Sequence, residues 1–136
     1  MKLIANIAGV LLGLAFLSAS IPVLFNLMDE SQMPKFEEGS YPALFMAAFA
    51  PSGYMHFVKW CELIGAILVA IPKSRGAGLL VLGPIIVNIY VYHLTIMEGE
   101  GLTGWMVLAI GALALVCLIA EGRALMRFAF KVGADA

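Results

Sequence analysis

The stretch LIANIAGVLLGLAFLSASIPVLFNL, residues 3–27, contains no charged side chain. Wound as a helix rising about 1.5 Å per residue, it is long enough to cross the roughly 30 Å hydrocarbon layer of a bilayer. Helix is the required form, because lipid offers no partner to a free backbone N–H or C=O. Lys2 and Ser18-Ala19-Ser20 give the segment some look of a cleaved signal. Its apolar run is far longer than the usual signal core of about 7–15 residues, so it is read as a retained span. Three further apolar stretches follow, at about 54–72, 76–97 and 102–120. The expectation is an all-α transmembrane four-helix bundle. It forms a single membrane domain over 1–136, closed by an amphipathic tail at 121–136.

Composition points the same way. The chain has 136 residues, 62% hydrophobic and only 12% charged, with a mean hydropathy of +1.00. A soluble domain is closer to half apolar and a quarter charged, and a core this small has no room for the excess. The net charge of -1 gives no basic field to attract nucleic acid. Cys61 and Cys117 lie in separate apolar stretches and form no CxxC pair. They signal no redox centre, zinc site or disulfide framework, and read as small apolar packing groups.

The loop charges set the orientation. Lys2, Lys73, Arg75, Arg123, Arg127 and Lys131 occupy the start, the second connection and the tail. Asp29, Glu30, Glu37, Glu38, Glu98 and Glu100 occupy the other two connections, where Lys35 is the sole base. The positive-inside rule places the basic set, and with it both termini, in the cytoplasm. The outer connection from Asp29 to Gly53 is long and carries Pro34, Pro42 and Pro51. Residues 43–50 within it are apolar but too short to span. They suit an interfacial or re-entrant turn of helix, acting either as an anchor or as a lid. In the tail, Arg123, Arg127 and Lys131 recur every four residues and so share a helical face, which suits an anionic inner leaflet. Ala5, Gly9 and Gly13 recur at the same interval. They allow close helix approach, within the chain or at a dimer seam.

Ionisable residues inside apolar segments are the candidate functional groups. His56, Lys59 and Glu62 follow at intervals of three on one drifting face. Glu62 is near mid-segment, where a charge costs at least about 2.5–3.5 kcal/mol. Lys59 and Glu62 offset this as an ion pair, or as a neutral pair with the proton on the carboxylate, and must face protein or a polar cavity. The next segment carries Pro84, Asn88, Tyr90, Tyr92 and His93. It runs antiparallel, so Asn88 reaches the depth of Lys59 and Glu62, and His93 that of His56. On a straight helix Asn88 and Tyr92 share a face, while His93 points about 140° away from Asn88. Three readings stay open: a buried network that fixes helix pairing; a pocket for a quinone, lipid or other amphiphile; and a proton path or a metal or haem site. The two histidines lack supporting ligand spacing, so no metal is assigned. There is no nucleophile with a base, no phosphate loop and no paired carboxylates. Whether the chain is an enzyme is left open, and redox chemistry would need a borrowed cofactor or a partner.

Lys59-Trp60-Cys61-Glu62-Leu63-Ile64-Gly65 resembles the Lys-x-x-Glu-x-x-Gly stretch in the second helix of DoxX-like membrane proteins. Pro84-Ile85-Ile86-Val87-Asn88 followed by His93 resembles the Pro-x-x-x-Asn-x-x-x-x-His stretch of their third, and the basic hinge Lys73-Ser74-Arg75 lies between. The likeness covers about 57–93; the outer helices match in hydropathy alone. Many members have a basic residue near each end of the first helix, whereas here Lys2 stands alone. The resemblance implies a multi-pass four-helix bundle of the bacterial inner membrane. Relatives are associated with quinol oxidase and thiosulfate:quinone chemistry, redox-stress complexes and methylamine utilisation, and similar animal proteins are receptor-assembly chaperones. The expected function is a quinone- or lipid-binding accessory subunit of a membrane redox system; the alternative is a non-catalytic assembly or scaffold protein. The expected ligand-binding set is Lys59, Glu62, Asn88, Tyr92, His93 and His56. The expected partners are the lipid bilayer, a redox subunit and further copies of the chain.

Overall fold

The computed structural model describes residues 1–134, with side chains up to Lys131; Asp135 and Ala136, the end of the expected tail, lie outside the described residues. The described residues are all-α. The helices are α1 (Lys2–Leu24), α2 (Tyr41–Phe49), α3 (Tyr54–Ala70), α4 (Arg75–Thr95) and α5 (Trp105–Ala134), with a short 3-10 turn at Glu30–Gln32. Three of them are long and apolar enough to cross a membrane: α1, α4 and α5 as far as Lys131.

The boundaries follow local chemistry. Ser40 caps α2, its hydroxyl accepting from the Ala43 amide at 3.4 Å. Pro51 and Gly53, the latter at φ +81°, separate α2 from α3, which meet at a bend of 83°. The expected second span, 54–72, ends early at Ala70. Pro72 forces Ile71 into extended backbone (φ −88°, ψ 120°). The resulting 17 residues of α3 cover about 25 Å. Ser74 then donates to the Leu68 carbonyl at 2.9 Å. At the other end, Gly101 at φ +74° delays α5 to Trp105. The tail is not a separate helix, because α5 runs unbroken through it to Ala134.

α1 packs against α3 and α5, and α4 packs against the same two. The core is Ala8, Leu12 and Phe16 of α1, Ala66 and Val69 of α3, Leu79, Leu82 and Ile86 of α4, and Cys117 of α5. Large apolar side chains also cover the outside, among them Ile7, Leu14, Leu80, Val87, Leu115 and Leu118. A surface this apolar suits hydrocarbon as its solvent.

The small-residue stripe on α1 is consumed within the chain. A Cβ built on Gly9 would lie 2.6 Å from the Val69 carbonyl oxygen, and one on Gly13 would lie 2.7 Å from that of Ala66. The obstacle is α3 backbone, which cannot rotate aside. Gly13→Ala is therefore expected to push α1 from α3 and lower stability by about 1–3 kcal/mol. A fall in the thermal unfolding midpoint in detergent checks this; an unchanged midpoint would contradict the close approach.

Candidate functional site

The inward face of α3 is Glu62, Gly65, Ala66 and Val69, spaced as one helical stripe. Glu62 thus enters the protein interior at 5% exposure. Lys59, one turn earlier, places Nζ 2.8 Å from Glu62 Oε2, and its side chain keeps 18% exposure. These two residues come together as the spacing suggests. His56, a further turn away, is exposed.

The α4 residues go elsewhere. The buried positions of this helix are Arg75, Gly78, Leu79, Leu82 and Ile86. Asn88 sits two residues beyond Ile86, about 200° around the helix, and it is exposed with no side-chain hydrogen bond among the described residues. It does not join Lys59 and Glu62. Tyr90 turns toward α5, donating to the Val107 carbonyl at 2.7 Å with its hydroxyl held over Gly111. Tyr92 lies against Phe45 of α2, ring centroids 5.2 Å apart. Phe45 stacks on Phe49 at 5.0 Å, and Phe49 meets Tyr54 edge-on at 5.3 Å. This aromatic row ties α2 to the ends of α3 and α4. His93 Nδ1 is 2.9 Å from the Glu100 carbonyl oxygen and braces the turn into α5. The two histidines therefore serve different surroundings. Among the described residues no three His, Cys, Asp or Glu side chains gather as a metal site. A cavity of about 540 Å³ opens at the same end, between Lys35–Pro42 of the long connection and Ile96–Glu100.

A second polar cluster occupies the opposite, basic end. Arg75, the first residue of α4, is only 3% exposed. Its Nη2 donates to Asn6 Oδ1 of α1 at 2.6 Å, and its Nη1 to Glu121 Oε1 of α5 at 3.3 Å. Nε is buried without a partner, wedged where a Gly9 Cβ would lie 3.0 Å away. One guanidinium thus ties three helices at one level. The sequence reading uses Arg75 only as a loop charge, although a signal was available. Glu121 is the only acid between Gly101 and Asp135, in the midst of bases, and Asn6 is the first amide in an otherwise apolar helix start. Two unexplained polar residues and an arginine opening the next apolar stretch invite such a tie.

Chemically, α3 offers an ammonium held by one carboxylate, an aromatic row ties α2 to α3 and α4, and the basic end offers a buried guanidinium beside exposed cations. No family model matches the chain, and neither a curated protein nor a solved structure matches it.

Proposed function

We propose that the chain is a DoxX-like accessory subunit of the bacterial cytoplasmic membrane. In this reading Lys59 receives the polar head of a quinone-like or lipidic ligand on behalf of a redox partner. α1, α3, α4 and α5 would form the four-span bundle, and the bases at one end support cytoplasmic termini. The carrying observation is the state of Lys59. An ammonium has three N–H donors; one meets Glu62 at 2.8 Å, the side chain remains 18% exposed, and Asn88 faces away. In apolar surroundings the open donors favour an acceptor, which a ligand carbonyl oxygen supplies. Glu62 holds the ammonium in place, and the Phe45–Tyr92 row at the same end of the helices offers ring faces to a flat head group. α2 then acts as a lid.

The test is the quinone and lipid content of chain purified gently from its membrane. Lys59→Met/Glu62→Gln should lower bound quinone at least about tenfold, the worth of one charge-assisted hydrogen bond, while the protein stays folded. Unchanged quinone content removes this reading. The geometry of the pair also serves a second reading, an assembly or scaffold protein, since Lys59 and Glu62 neutralise each other inside one helix. Ligand-free chain copurifying with a stoichiometric protein partner would favour that.

A further inference from the structure

The Arg75 cluster borders a cavity of about 520 Å³ between the ends of α1, α4 and α5, with Lys2, Asn6, Arg75, Ile119, Glu121 and Arg123 in its wall. Its charge is unbalanced: three bases face one acid, and Glu121 is already engaged by Arg75. Lys2 and Arg123 form no ion pair among the described residues and are exposed. The guanidinium adds its charge to this wall, while its Nε is turned against Gly9 of α1 and takes no part. Such a site selects an anion.

Its place selects the kind of anion. Arg123 lies 18 residues along α5 from Trp105, about 27 Å, which is one hydrocarbon thickness. Ile119 is one turn before Arg123 and Arg127 one turn after, all on one helical face. Along that face an apolar step therefore leads into a basic one at the depth where acyl chains meet headgroups. Basic pockets between spans on this side of a membrane suit anionic lipid heads. The geometry points to a binding site for an anionic glycerophospholipid of the cytoplasmic leaflet. Its phosphodiester lies between Lys2 and Arg123, over Arg75, and its first acyl carbons run along Ile119. This goes beyond the ligand reading above and rests only on its membrane placement.

The experiment uses the full chain in nanodiscs containing equal phosphatidylglycerol and phosphatidylcholine, with retained lipid counted by native mass spectrometry. The expected result is about tenfold preference for phosphatidylglycerol, falling to within about twofold in Lys2→Ala/Arg123→Ala. Lys73→Ala/Lys131→Ala removes the same charge from the same side but spares the cavity wall and the basic step beside it, and should keep the preference. Equal retention of both lipids overturns the proposal, as does a preference that survives in the cavity variant or vanishes in the control. Displacement of the lipid by millimolar inorganic phosphate would assign the site to a free anion and equally overturn it. Quinone content, read in the same samples, should not follow the cavity variant, which separates this site from Lys59. A chain that fails to enter the bilayer at all would instead remove the membrane placement.

Discussion

Arg75→Met should lower stability by about 3 kcal/mol, the largest loss expected of any single polar substitution at the basic end. The estimate follows from what the change leaves behind. Asn6 and Glu121 both lose their charged donor, and Glu121, whose side chain is 24% exposed, is left without its ion-pair partner. Removing one member of a fully buried pair costs about 3–5 kcal/mol; the partial exposure of Glu121 places this case at the lower edge. Glu121→Gln should cost only about 1 kcal/mol, because an amide oxygen still accepts from Nη1. Arg75→Lys should fall between the two. A single ammonium on a different stem does not reproduce a planar fork that reaches Asn6 and Glu121 together. The series is read by reversible unfolding in mixed micelles. Equal stability for all three variants would show that the guanidinium does not tie the helices.

The contrast between the two polar clusters shows what a linear sequence displays and what it conceals. Lys59 and Glu62 are three residues apart, so their contact is a property of one helix and follows from its period alone. Arg75 meets partners 46 and 69 residues away. That meeting depends on which helices are neighbours and how each is rotated, and hydropathy encodes neither when apolar residues cover every side. The same blindness places Asn88 near Lys59 on depth alone, whereas the packing of Leu82 and Ile86 turns Asn88 outward. Helix starts were legible to within a few residues, because length and apolarity are local. Boundaries shift where a proline or glycine acts, as at Pro72 and Gly101. The tail helix was legible as a helix. Its continuity with α5 was not, since the change in composition near Glu121 resembles a boundary although no breaker stronger than Gly122 is present.

At the acidic end, the two halves of the ion pair should be unequal when removed one at a time. Lys59→Met leaves the Glu62 carboxyl group in the interior at 5% exposure, on a side chain too short to reach the helix end about 12 Å away. The expected loss is about 3 kcal/mol. Glu62→Leu leaves Lys59 only about 8 Å from the start of α3. Its long stem lets the ammonium swing toward water, so the loss should be about 1 kcal/mol. Replacing both, as Lys59→Met/Glu62→Leu, removes the need for any pairing and should return stability to within about 1 kcal/mol of the original chain, since well-packed apolar groups replace buried ion pairs at little cost. A double-mutant cycle measures this as a coupling of about 3 kcal/mol. Coupling below about 0.5 kcal/mol would mean that Lys59 and Glu62 do not depend on each other in the folded protein. A strongly coupled pair whose apolar replacement folds well is not required for folding. Loss of quinone from that stable double variant would then place the pair's role in binding, and retention of a protein partner without quinone would place it in assembly.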